Sequence, residues 1–115
     1  MQIEDTIAAI STPIGEGALA VIRLSGPAAL SVFARVFRGP LSPANFVPRR
    51  VVFGEIHDGA GKVDEVLVTY FRAPKSYTGE DVVEISCHGG ILVTRRVLDL
   101  LLAAGARMAN PGEFT

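Results

Sequence analysis

The sequence predicts an α+β domain in which a mixed β-sheet carries two main helices. Three observations support that class. Short apolar stretches, most of them alternating with period two, recur at residues 6–11, 18–25, 50–57, 63–71 and 82–87. After Ser25 and again after Gly89 the apolar spacing becomes helical. Asp58-Gly59-Ala60-Gly61-Lys62 joins two of the strands directly, as a hairpin turn would. A chain of 115 residues is long enough for one domain with one sizeable core.

Taken in order, residues 6–11 form a short strand, closed by Thr12-Pro13 and a Gly15-Glu16-Gly17 turn. Residues 18–25 form a second strand, with Leu19, Val21, Arg23 and Ser25 on one face and Ala20, Ile22 and Leu24 on the other. Both faces are mostly apolar, so the strand is expected to be central, and Arg23 is out of place on it. A guanidinium there needs a carboxylate, carbonyl oxygens or a ligand. Ser25-Gly26-Pro27 reads as a helix start, with Ser25 capping and Pro27 at the first helical position, where its missing N–H wastes no donor. Leu30, Phe33, Val36 and Phe37 supply the buried stripe, and Gly39-Pro40 ends the helix. Residues 41–48, with prolines at 40, 43 and 48 in and beside them, form a loop. The hairpin strands follow at 50–57 and 63–71. In the second, Val66, Val68 and Tyr70 face one way and Leu67, Thr69 and Phe71 the other. Gly61-Lys62 lacks the G-x-x-x-x-G-K-[ST] spacing of a phosphate loop. A helix over 91–104 is apolar around most of its circumference, with Thr94, Arg95, Arg96 and Asp99 as its polar strip. Such a helix is expected to be covered on more than one side, by a second copy or another domain. Gly105 caps it, and residues 106–109 make a last short strand.

Composition narrows the function classes. Hydrophobic residues make up 49% and charged residues 20%, as in globular proteins. Eleven basic against 12 acidic residues leave a net charge of −1, which offers no overall footprint for nucleic acid or an anionic membrane. The single cysteine excludes an internal disulfide and a cysteine-based metal cluster within one chain. The early residues are acidic and lack the basic start of a signal peptide. No apolar run reaches the roughly 18 residues of a membrane span. The expected location is the cytoplasm.

The densest chemistry lies in residues 76–90, SYTGEDVVEISCHGG. Period two puts Glu84, Ser86 and His88 on one side of a strand and Val83, Ile85 and Cys87 on the other. Cys87 and His88 therefore point apart, which argues against a thiol–imidazole dyad. The available His, Cys and carboxylates lack zinc spacing, so no metal site is expected. Gly89-Gly90 could offer backbone N–H groups to an anion, or could simply make the strand-to-helix turn. Glu84 is the sharpest residue. A structural ion pair with Arg23 and a ligand's adjacent N–H groups both account for it.

Three segments, TIAAISTPIGEGALAVIRLSGP at 6–27, APKSYTGEDVVEISCHGG at 73–90 and ARMANPGEFT at 106–115, resemble the N-terminal domain of the MnmE (TrmE) family of tRNA-modification GTPases. The resemblance implies a folate-binding fold, similar to the folate domains of the glycine-cleavage T-protein, that dimerises and holds 5-formyl-tetrahydrofolate. It places Arg23 and Glu84 at the family's folate-binding positions. Tyr77, His88 and Gly89 complete the candidate ligand-binding set, and no catalytic residue is assigned. The family protein works with a flavoprotein partner, MnmG (GidA), on the wobble uridine (U34) of tRNA. GTP, Mg and K belong to a G domain that residues 1–115 lack, so this chain is not expected to hydrolyse GTP. Two other readings remain. One is a pure assembly fragment with an incomplete ligand site. The other is a small enzyme using His88 as base.

Overall fold

Alternation along the strands divides the sheet into two unlike faces. The computed structural model describes residues 5–11 and 19–114. Its strands are β1 (Ile7–Ile10), β2 (Ala20–Ser25), β3 (Phe37–Arg38), β4 (Val51–His57), β5 (Lys62–Phe71), β6 (Val82–Cys87) and β7 (Arg107–Met108). The helices are α1 (Ala29–Ala34) and α2 (Gly90–Ala103), with a 3-10 turn at Pro43–Asn45. The seven strands lie in the order β3-β4-β5-β6-β2-β1-β7. All neighbours are antiparallel except β1 and β7, so the sheet is mixed and the α+β class holds.

Register builds the core row by row. Val52, Val68, Ile85, Ile22 and Ile10 line up across five strands, and Tyr70, Val83, Leu24 and Ala8 form the next row. Most of these side chains are buried on the face that carries both helices. Each large aliphatic group removed from water there contributes about 1.5–3 kcal/mol. Among the described residues, no helix lies on the opposite face. Val51, Phe53 and Leu67 stand on it 63%, 52% and 38% exposed.

The helix expected after Ser25 is shorter than its spacing suggested. Its first residue is Ala29, flanked by Ala28 without a side-chain cap, and it ends at Ala34. Ser25 does not cap it. The Ser25 hydroxyl lies 2.7 Å from the Thr78 hydroxyl, and Thr6 Oγ1 accepts the Ala28 N–H at 3.0 Å. Phe37 belongs to β3, paired with Ile56, and not to the helix. The reason is packing. As a strand residue, Phe37 places its ring 4.8 Å from that of Phe33 and 5.6 Å from that of Phe46. The ring also covers Gly54, where a Cβ would come within 2.2 Å of it. Gly26 is required for another reason. Its φ is +144°, and a Cβ would approach the Asp5 carbonyl oxygen to 2.6 Å.

At α2 the polar strip is narrower than expected. Thr94 is fully buried among Val97, Leu98 and Leu101, and its hydroxyl donates to the Gly90 carbonyl at 2.8 Å. That internal bond satisfies the hydroxyl and lets it face the sheet. Within the described residues α2 is covered on one side, while Ile91 and Leu92 at its start are 48% and 80% exposed. The last strand is β7, which pairs parallel to β1. The turn expected at 12–17 and the first residue of the 18–25 strand lie outside the described residues. Among the described residues, no helix is long and apolar enough to cross a membrane.

Candidate functional site

On the face opposite α1 and α2, Arg23 in β2 stands directly across from Glu84 in β6. The row continues to Ala9 on one side and to Thr69 and Val51 on the other. Arg23 Nε donates to Glu84 Oε2 at 2.6 Å, and the two side chains are 30% and 27% exposed. Tyr77, from the β5–β6 connection, lays its ring over the guanidinium with 4.9 Å between Cζ and the ring centroid. The plane of a guanidinium suits such stacking. The first carboxylate oxygen, Glu84 Oε1, accepts no hydrogen bond from the described residues.

Two cavities meet at Arg23. One, about 340 Å³, is lined by Glu84, Ser86, Thr69, Leu67, Val51 and Val21 along with Arg23 and Ser11. The other, about 480 Å³, is bounded by Tyr77, Ala9 and residues 109–114, again with Arg23 and Ser11. The 109–114 segment is held there by Arg107. Its Nε donates to Asp5 Oδ2 at 3.0 Å, and its Nη1 donates to Glu113 Oε1 at 3.1 Å. Glu113 also accepts the Asn110 N–H at 2.7 Å. Arg107 above all, then that backbone bond, hold the Glu113 carboxyl below the usual carboxylate range. The site thus combines a cation, an anion, hydroxyls, an aromatic ring and apolar walls. That set is suited to holding a flat polar heterocycle and, among the described residues, contains no nucleophile paired with a base.

His88 and Gly89 are elsewhere. They follow the end of β6, roughly 13 Å along the chain from Glu84, and line neither cavity. His88 Nδ1 is 2.9 Å from the Glu65 carbonyl oxygen. The backbone N–H groups of His88 and Gly89 donate to Asp64 Oδ2 at 2.8 and 3.2 Å. The chain's own carboxylate therefore takes the place at the start of α2 where an external anion would sit. Cys87 lies on the helix-covered face, 1% exposed, and burial, followed by the charge of Asp64, pushes its thiol up to about 12. Such a thiol supplies no thiolate at neutral pH. Among the described residues, no three His, Cys, Asp or Glu side chains converge as a metal site.

Sequence reasoning missed Ser11, Thr69, Asn110 and Glu113 as parts of the site's wall. Alternation had placed Thr69 on one face of its strand, but nothing local said which strand would lie beside it. The return of residues 109–114 depends on Arg107 and Asp5, which are 102 residues apart.

Residues 6–115 match the family model described as GTP-binding protein TrmE N-terminus. The tRNA modification GTPase MnmE of Roseiflexus castenholzii is 55% identical over 116 residues, covering 100% of this chain and 25% of that protein. The MnmE of Carboxydothermus hydrogenoformans is 56% identical, covering 98% of this chain and 25% of that protein. The MnmE of Thermotoga maritima is 51% identical, with 96% of this chain and 24% of that protein covered. The chain spans about a quarter of the length of these relatives.

Proposed function

The chain belongs to the family of TrmE N-terminal domains, and from that premise we propose that it binds a tetrahydrofolate and pairs with a second copy as part of a tRNA modification GTPase. The observation that carries this reading is the Arg23–Glu84 pair, standing inside a cavity on an open sheet face beside the Tyr77 ring. The ligand is 5-formyl-tetrahydrofolate. Glu84 accepts the 2-amino group and the adjacent ring N–H of the pterin, a bidentate match to a carboxylate. Arg23 donates to ligand carbonyl oxygens or to the acidic tail.

The energetics favour such an exchange. A partly exposed ion pair contributes only about 0–1 kcal/mol. A ligand that offers Glu84 two N–H donors can therefore rearrange the pair at little cost. In the whole protein the domain serves modification of the wobble uridine of tRNA in the cytoplasm, together with the flavoprotein MnmG. GTP and its metal ions bind in another domain.

A second reading, an assembly domain without a complete folate site, is favoured by one observation. The apolar side chains Val51, Phe53 and Leu67 crowd the same open face. Calorimetric titration with 5-formyl-tetrahydrofolate separates the two. Wild-type chain is expected to bind, with Glu84→Ala at least tenfold weaker, since a lost charged hydrogen bond costs about 1.5–3 kcal/mol. Equal affinities would remove Glu84 from the site, and no heat from either protein would favour assembly alone.

A further inference from the structure

Arg49, Arg50, Arg72 and Lys75 are exposed, and none pairs with a carboxylate of the described residues. All four lie at one corner of the sheet, where β4 begins and β5 ends. Arg49, with φ of +68°, donates its backbone N–H to the Tyr70 carbonyl at 2.8 Å, tying the two strand ends together. Arg72 is 6.0 Å from the Tyr70 ring centroid. A cavity of about 280 Å³ opens between them, lined by Pro48, Arg49, Arg72, Ala73, Pro74 and Lys75. The carboxylates of the neighbouring turn are engaged. Asp81 Oδ1 accepts the Ala73 N–H at 2.8 Å, and Glu80 accepts the Ser25 hydroxyl at 3.4 Å.

We propose that this corner is a phosphate anchor for RNA, with Arg49, Arg72 and Lys75 gripping the backbone and the cavity receiving a ribose or base. The inference rests on the tRNA-modification reading above and assigns this domain its own contact with the substrate. The chemistry favours RNA over a small anion. The cations ring an exposed mouth instead of enclosing one group, which suits a chain of phosphates that remains hydrated. Prolines and an alanine between them offer the apolar wall against which a sugar or base can rest. Position also fits. Lys75 is two residues from Tyr77, so their Cα atoms are at most about 7.6 Å apart. An RNA held at the corner is thereby beside the Arg23 cavity. A net charge of −1 did not disclose this, because it is a sum in which cations at one corner cancel against acids elsewhere.

The test is fluorescence anisotropy of a labelled, unmodified tRNA transcript with this chain, over a series of salt concentrations. The double variant Arg72→Ala/Lys75→Ala is compared with Arg38→Ala/Arg95→Ala, which removes equal charge from two other exposed arginines without ion pairs among the described residues. Each neutralised phosphate contributes a salt slope of about 0.7–0.9. The corner variant is expected to bind roughly ten- to hundredfold more weakly at low salt, with the slope reduced by about 1–2. The control variant is expected to stay within about twofold. Equal weakening by both variants, or no binding by wild type, would overturn the anchor. Weaker binding of polyglutamylated folate with unchanged RNA binding would do so too, and would assign the corner to the ligand's acidic tail. The folate titration of Glu84→Ala is read separately, so failure of the folate site and failure of the anchor remain distinct.

Discussion

At 8% exposure, the Asp64 carboxylate of β5 accepts three backbone N–H groups, from Glu65 at 2.9 Å, His88 at 2.8 Å and Gly89 at 3.2 Å. The last two belong to the chain as it leaves β6 and begins α2, where helix N–H groups have no internal partner. Asp64 thus joins the middle of the sheet to the start of the long helix. Asp64→Ala is expected to lower stability by about 1–3 kcal/mol, and Asp64→Asn, which keeps an acceptor, by less. Urea unfolding with an unchanged slope measures this, and an unshifted midpoint for the alanine variant would show the bonds to be dispensable. The sequence offered no hint of this role. Asp64 reads there as one more polar residue near a turn, because its partners are 24 and 25 positions away. Arg23 and Glu84, by contrast, were legible as anomalies, since a charge within an apolar strand stands out whatever surrounds it.

The elements with a strong period were readable and the weak ones were not. The hairpin and β6 alternate cleanly, so their bounds fell within a residue of expectation. The spacing of Phe33, Val36 and Phe37 fits a helix, yet the helix ends at Ala34 and the chain turns through Arg35 and Val36 to pair Phe37 with Ile56. Two strand residues carry no period, so only the neighbouring β4 and the aromatic cluster reveal them. That packing yields a test at the same scale. A methyl group at Gly54 would meet the Phe37 ring at 2.2 Å, and Phe33 and Phe46 limit where the ring can retreat. Gly54→Ala is expected to cost about 1–3 kcal/mol. Gly61→Ala, with open space around the new Cβ, is expected to stay within about 0.5 kcal/mol. Thermal melts of the pair measure the difference, and matching midpoints would contradict the tight seat.

For the molecule as a whole, the asymmetry of the sheet matters most. One face carries α1 and α2; the other exposes Val51, Phe53 and Leu67, of which Val51 and Leu67 line the Arg23–Glu84 cavity. Apolar side chains grouped on an open sheet face favour burial against a partner, and a second copy would also wall the candidate ligand site. Light scattering is expected to give a dimer mass at tens of micromolar chain, about the range where modest interfaces associate. Phe53→Asp is expected to shift it toward monomer. A wild-type monomer at high micromolar concentration would dispose of self-pairing through this domain.

The sequence by itself determined the class of fold, most strand positions and which side of β6 Glu84 occupies, because these depend on spacing along a few residues. Only the tertiary structure decided that Arg23 and Glu84, 61 positions apart, meet in register. It alone decided that the carboxylate at the start of α2 is Asp64, and that four cations share one corner. Those outcomes follow from strand order and hydrogen-bond register. They are set by contacts between distant segments, which no local pattern of residues encodes.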